Sequence, residues 1–480
     1  MGQPFSDIAS VSTGKRRDFC RLPRWCLMRC KSNKLLLPVK TLSVSCVEGI
    51  AAIHRFAGDI DRLNRASLRP NPFLCAAFLL CYSLRAEYHV PGDEERLYLI
   101  CEDDRLIGIA PMRRTLEDMI PRAGPVHWRA GRLRLLAPLD TERPGILAAP
   151  DDEERVAAAL IQYLCREERG WGMLEFVGQP PGTTLHKAIH AAARYGFRAR
   201  DIAVEPYTEI ELIWSDLNGY FRSLAKKMRS NISRQARRLF AHGEPQLVLA
   251  QGPLATAAWF EAYCDLDSRS WKHGTGSSIL RHPRRVRFYQ EIIAGRAGLD
   301  PSFIGIVLDG VLVAGLIVGS DMPASPGRRG AWFLEMAYDQ SRADLGPGQL
   351  LLLLGVGQAL DRGERFVNFM QNFAYYKHRW GAALVPVVSV QLIRRASLHN
   401  ARALMGEIGR SLLAKVRRTK RAESPADGGE QPAEGGTSSV TPPDLSHARM
   451  LTERALAYDG PGVRRLDRAA ARGYLPFDVE

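Results

Sequence analysis

Apolar and polar positions change period many times along this chain, and the sharpest change lies between Ala331 and Gly363. Trp332, Phe333, Leu334, Met336, Ala337 and Tyr338 are apolar on both alternating faces, the pattern of a central strand covered on two sides. Glu335 is the one acid inside it. The pattern breaks at Asp339 and resumes, after a polar and glycine-bearing stretch, as a Leu-rich helix predicted from about Gly348 to Arg362 and closed by Gly363. Pro347 fits the first turn of that helix, where a missing N–H is tolerated.

The same alternation of strands and helices runs through the rest of the chain. In the first half it predicts a strand from near Leu37, helices over Glu48–Leu63 and Phe73–Arg85, and a hairpin of Leu97–Cys101 with Leu106–Pro111. Strands at Leu133–Ala137, Gly145–Ala148 and Gly172–Val177 and helices over Asp151–Arg166 and Thr183–Tyr195 follow. In the second half, helical stretches over Asp216–His242, Ala255–Ser270 and Pro283–Ala294 precede a hairpin of Phe303–Leu308 with Val311–Gly319. Laying Asp103-Asp104 on Asp309-Gly310 puts both turns and both apolar arms in register, a sign of internal duplication. Strands at Phe366–Met370 and Val385–Ile393 and a basic helix from Ser397 to about Lys420 complete the pattern. The fold class is therefore α/β (α+β). The expected division is a disordered basic extension over 1–36, an N-terminal domain over 37–212, a C-terminal catalytic domain over 213–421, and a disordered linker and tail over 422–480, with a short helix around Val463–Arg472.

Composition narrows the class. With 480 residues, 46% hydrophobic and 25% charged, the chain is globular and long enough for two or three domains. No apolar run approaches the roughly 18 residues of a membrane span. Nine cysteines without a paired C-x-x-C read as reduced thiols of a cytoplasmic protein, and Cys20, Cys26 and Cys30 lack the second ligand pair a zinc site needs, so no metal is expected. The formal charge of +14 is local: residues 1–40 carry nine Lys/Arg against two acids, 221–242 seven against none, and 394–421 nine against one. The remainder is mildly acidic, which disfavours general nucleic-acid binding.

The candidate chemistry collects around the opening stretch. A strand passing through Gly-Pro-Gly into a helix leaves backbone N–H groups that either cradle a phosphate or belong to an ordinary tight connection. Glu335 reads as a general base or as the buried partner of a Lys or Arg. On the helix Lys226–Leu239, Met228, Ile232, Ala236 and Leu239 share one side while Lys227, Asn231, Arg234 and Arg238 share another, a solvated face or a seat for an anionic partner. Trp271 and Lys272, beside Gly274-Thr275-Gly276-Ser277-Ser278, read as a mobile substrate-facing loop, with Trp271 alternatively a core anchor.

Four segments in order, SLAKKMRSNISRQARRL from Ser223, SRSWKHG from Ser268, DLGPGQLLLL from Asp344 and YKHRWG from Tyr376, resemble the CelD-like acetyltransferase family of the GNAT superfamily, itself similar to the Fem-type transferases. The resemblance spans about Asn71 to Ile393. It implies two tandem GNAT-like domains, each a mixed central sheet flanked by helices, and acyl transfer from acetyl-coenzyme A, as co-substrate, to an amine or hydroxyl. It also implies a pyrophosphate loop on Arg342–Gly348, with Arg342 and the N–H groups of Gly346, Gly348 and Gln349 facing the phosphates. Ala343 stands where many relatives have Gln or Arg, and Asn372-Phe373 where many have Gly-Asp. Acyl transfer needs a base, for which Glu335 is the candidate, and an acid for the thiolate, for which Tyr375 or Tyr376 is. Lys227, Arg234, Trp271, Lys272, Lys377 and Trp380 are the candidate substrate contacts. The expected acceptor is a small molecule or saccharide in polysaccharide or cell-envelope synthesis. The alternatives are a tRNA-dependent aminoacyl transferase and a non-catalytic assembly factor.

Overall fold

The structure, a computed structural model, describes residues 42–68, 70–84, 93–118, 129–136, 144–321, 329–370, 375–401, 405 and 445–478, the side chains of 83, 84, 118, 129, 375 and 376 excepted. The strands in chain order are β1 (Leu42–Glu48), β2 (Glu94–Glu102), β3 (Arg105–Asp118), β4 (Arg129–Leu135), β5 (Leu147–Ala148), β6 (Met173–Gln179), β7 (Phe197–Ala203) and β8 (Tyr207–Glu211). They continue as β9 (Pro245–Gln251), β10 (Leu299–Leu308), β11 (Val311–Asp321), β12 (Gly330–Tyr338), β13 (Phe366–Asn368), β14 (Ala383–Val385), β15 (Val388–Arg394) and β16 (Val463–Leu466).

Two hairpins give the architecture its repeat. β2–β3 and β10–β11 each turn through two residues, and the first of them, Asp103 at φ 53° and Asp309 at φ 51°, is left-handed in both. Aspartate tolerates that conformation because its short side chain can satisfy nearby backbone. Each hairpin also slips register at the same distance from its turn, between Ile100 and Cys101 and between Ile306 and Val307. The duplication read from Asp103 and Asp309 is thus present in the backbone.

It extends across both sheets. The first runs β1-β2-β3-β4-β6-β15-β7, with β5 against β3; the second, from its β9 side, runs β9-β10-β11-β12-β13-β8-β14, with β16 added beyond β9. Place by place the two correspond, each with one parallel pair, β4–β6 and β12–β13. Beside each parallel strand sits a strand from the other half of the chain: β15 in the first sheet and β8 in the second. The expected boundary at 212/213 is therefore crossed, because β8 belongs to the second sheet and β15 to the first. The halves also share a core, in which Phe73 meets Trp332 edge-on at 5.4 Å and Phe78 meets Phe288 at 5.7 Å. Separating them would unpair a strand in each sheet, so we expect one cooperative unit.

The C-terminal tail departs most from expectation. Ser446–Leu456 is a helix, Val463–Leu466 is the edge strand β16 against β9, and a helix capped by Asp467 starts only at Arg468. The disorder expected up to 480 and the helix expected from Val463 are both corrected here. The physical reason is the open edge of β9, whose unpaired backbone groups recruit a strand that local propensity does not indicate. The extension 1–36, most of the basic helix from Ser397 and the linker up to 444 lie outside the described residues.

At the far end of β11, Asp321 is buried and accepts the Gly330 N–H at 3.0 Å. Burial pushes its carboxyl up to about 7, reinforced by the Glu364 carboxylate and opposed by Arg329. A carboxyl raised in the folded state stabilises below its ordinary range, and that stability is lost as pH rises from about 4 through 7. Asp321→Asn keeps the acceptor without the charge. Its stability relative to the parent is expected to be greater at pH 8 than at pH 4, by up to about 4 kcal/mol. Urea unfolding at the two pH values checks this, and a pH-independent difference would contradict it.

Candidate active site

β12 and β13 are paired for three residues only, Gly330 with Phe366, Ala331 with Val367 and Trp332 with Asn368. β13 then turns away: the Met370 N–H donates to Asn368 Oδ1 at 2.6 Å, and Met370 sits at φ 59°, a strained conformation for a side chain of that size. β12 runs on to Tyr338 against β11 alone, so among the described residues no strand pairs with its other edge from Phe333 onward. A bulge leaves Leu334 without a partner between Val318–Phe333 and Ile317–Glu335. That extra residue shifts the alternation by one. Glu335 and Ala337 now face the helices of 253–293, while Met336 and Tyr338 face the helices Lys226–His242 and Pro347–Asp361.

The glycine turn follows directly. Asp339 accepts the Ser341 N–H and hydroxyl at 2.9 and 2.7 Å, and Gly346, at φ 64°, caps the helix Pro347–Asp361, which has no side-chain cap and no acid in its first turn. The basic helix Lys226–His242 lies across this turn. A Cβ on Gly346 would meet Gln235 Cδ at 2.3 Å, and Asn231 Nδ2 donates to Gln349 Oε1 at 3.0 Å. Arg234 donates to Asn231 Oδ1 at 2.8 Å, and Arg342 Nη1 lies 2.9 Å from His242 Nε2. Arg342, Gln349 and Arg234, expected at two separate sites, thus share one surface, and exposed Lys227 lies one turn from Asn231 on the same helical face. Two of the backbone donors expected to face phosphate are engaged within the turn instead: the Gly346 N–H donates to Ala343 O and the Gln349 N–H to Gly346 O, both at 3.1 Å. The Gly348 N–H lies in the first turn, where no preceding carbonyl is in helical register. A Cβ on Gly348 would stand 3.1 Å from the Tyr338 ring, so glycine lets that ring close on the turn. In the first sheet the corresponding helix Glu153–Arg166 is preceded by Asp151 and Asp152 and opens with Glu153-Glu154. Four acids there repel a phosphate.

Glu335 is 5% exposed and its carboxylate binds Lys272 Nζ through one oxygen and the Arg285 guanidinium through the other. The Tyr289 hydroxyl donates to it at 3.1 Å. Lys272 is brought there by a short helix, Trp271–Thr275, capped by Ser270. Arg269 pairs with Asp339, bonds Asp265 Oδ2 at 3.1 Å and donates to Leu312 O at 3.2 Å, and Ser270 bridges to Asp339. Arg269 and Lys272 therefore tie this segment to the end of β12 by two ion pairs, and Trp271–Thr275 is a helix where a loop was expected. Trp271 stays 41% exposed at the rim, while Lys272 is turned inward. Beneath lie Asp267, which accepts the Ser278 hydroxyl and the Ile279 N–H, and Tyr263, whose hydroxyl has no hydrogen-bond partner among the described residues. Burial raises the Asp267 carboxyl and, with the Glu335 charge, holds the Tyr263 phenol well above its ordinary value.

Arg269, Arg285, Tyr289, Asp267 and Tyr263 were not singled out in the sequence. A charge count over Ser268–Gln290 could have found the region, since it holds six Lys/Arg and two His and no acid. Lys377 is buried and donates to Phe369 O at 2.7 Å and Met370 O at 3.3 Å, and Trp380, 1% exposed, is core, its carbonyl accepting the Tyr220 hydroxyl at 2.9 Å. Lys377 holds the chain just after β13 and Trp380 is buried in the core, so neither is presented as the substrate contact expected. Tyr375 and Tyr376 begin the helix Tyr375–Arg379, but their side chains, like Asn372 and Phe373, lie outside the described residues.

Residues 226–378 match the family model of the acetyltransferase (GNAT) domain. This span begins at the basic helix, contains Glu335 and the glycine turn, and ends in the Tyr375–Arg379 helix. No curated protein matches the chain. Among solved structures, FemX is 10% identical at a TM-score of 0.47, over 71% of this chain and 96% of that one. A tandem GNAT protein from the clavulanic acid biosynthesis pathway is 13% identical at 0.42, over 74% and 100%. The C-terminal domain of a putative lysylphosphatidylglycerol synthetase from Agrobacterium fabrum is 11% identical at 0.42, over 74% and 95%. No helix among the described residues is long and apolar enough to cross a membrane.

Proposed function

We propose that this protein transfers an acyl group, acetyl in the simplest case, from coenzyme A to an amine or hydroxyl of a small molecule or saccharide in the cytoplasm, as its resemblance to CelD-like enzymes suggests. The observation that carries this reading is the meeting of an unpaired strand edge, Phe333–Tyr338, with a glycine turn bordered by Arg234 and Arg342, inside the span that matches the GNAT domain. The residues fit the co-substrate. The Gly348 N–H, Arg342, Arg234 and Lys227 would meet its phosphates, and the amides of its pantetheine arm can add to the open β12 edge as a peptide strand does. Tyr338 to Glu335 is about 10 Å along the strand, which brings the thioester near the buried carboxylate. The acceptor attacks the thioester carbonyl, forming C–N or C–O and breaking C–S. Glu335 receives the acceptor's proton, and Tyr375 or Tyr376 returns one to the departing thiolate.

Calorimetric titration with acetyl-coenzyme A tests this. One site is expected, weakened about tenfold, or about 1.4 kcal/mol, by Arg234→Ala. A folded protein that takes up no acetyl-coenzyme A would sink the proposal and favour a non-catalytic assembly role. The exposed face of Lys227, Arg234 and Arg238 also suits a polyanion such as tRNA. That reading requires affinity for RNA that falls steeply with salt.

A further inference from the structure

Away from the cleft, the first half of the chain brings together a second set of chemistry-bearing side chains. His186 and His190 stand four residues apart on the helix Thr184–Ala191, hence on one face, and Asp201 of β7 lies opposite. Asp201 Oδ2 is 3.0 Å from His186 Nε2 and Oδ1 is 2.8 Å from His190 Nε2, with the two rings 4.7 Å apart. One ligand atom from each of the three residues lies within 4.8 Å of the other two. Both histidines are half-buried and the aspartate is exposed, so the group opens to solvent on one side.

We propose that His186, His190 and Asp201 bind a divalent transition-metal ion of the zinc class. Two imidazoles and a carboxylate are a donor set such ions take, and histidines at i and i+4 can reach one ion from a single helical face. A tetrahedral ion with bonds of about 2.0–2.1 Å spaces its ligand atoms about 3.3 Å apart; the present contacts run to different oxygens of Asp201, so the carboxylate turns to offer one oxygen to both rings, in a group whose ligand atoms already lie within 4.8 Å of one another. Three protein ligands leave a fourth position for water. Coordination at Nε2 moves each ring proton to Nδ1. For His186 this gives up one long contact, from the Gly182 N–H at 3.4 Å. Asp201 pairs with Val390 of β15, so the ion would fasten the helix to the strand that neighbours the exchanged one.

The test is calorimetric titration of the full chain, free of affinity tags and stripped of metal, with zinc chloride. We expect one ion bound at this site, affinity lowered about tenfold or more by His190→Ala or Asp201→Asn, and a zinc-dependent rise in Tm of about 3 °C that both variants lose. If His190→Ala fails to fold, His190→Gln keeps the volume and removes the imidazole. The nine cysteines offer a competing donor set, which cobalt substitution separates through the charge-transfer absorption of a thiolate ligand. No zinc uptake, equal uptake by parent and variants, or a thiolate band from the bound cobalt would each overturn the assignment.

Discussion

Glu335→Gln is expected to lower the stability of the folded protein by about 3–5 kcal/mol and its turnover by roughly 10²- to 10⁴-fold. The stability loss follows from the two cations on one buried carboxylate: the amide leaves Lys272 and Arg285 near each other with a single neutral acceptor. The rate loss follows if Glu335 is also the base. Lys272→Met combined with Glu335→Gln separates the two effects, because removing one cation should restore much of the Tm. Turnover that stays low in this double variant supports Glu335 as the base. Turnover that returns with the Tm reduces Glu335 to an anchor for its neighbours. A single variant with the parent's Tm and full activity would defeat both roles and direct attention to the segment before Lys377.

Ending the chain at residue 444 is expected to be nearly as damaging. The deletion bares the β16 edge of β9, removes the Thr452 hydroxyl that accepts the Leu312 N–H at 3.0 Å, and uncovers the cores under Ala448, Ala455, Leu466, Ala471 and Leu475. Two buried leucines alone are worth about 3–6 kcal/mol. The bare β9 edge also invites pairing between chains, so we expect a fall in Tm and aggregation on size exclusion. A monomer with the parent's Tm would show that 445–478 is only laid on the surface.

The hairpins, the strand–turn–helix at Ala331–Gly363 and the duplication were legible because local rules govern them. Asp309-Gly310 and Gly346 favour backbone angles that few other residues accept, and an unbroken apolar strand leading into a Leu-rich helix has few other readings. The strand β12 and the acid inside it could likewise be named from spacing alone. The partners of that acid could not, since Lys272 and Arg285 lie 63 and 50 residues away and reach Glu335 only after the chain has packed. A single extra residue at Leu334 decides which face Glu335 occupies, and a bulge leaves no mark in a run that is apolar on both faces around that one acid. Alternation says at most that β15 is a strand, and it marks no element over Tyr207–Glu211, where β8 forms. Which sheet receives them depends on which edge is open when they arrive, as it does for β16 on β9. Local conformational preference was therefore written in the sequence by itself, whereas pairing across distance, and with it the burial and charge balance of Glu335, was decided by the tertiary structure, because hydrogen-bonded edges and buried charges are satisfied by whatever the fold brings near.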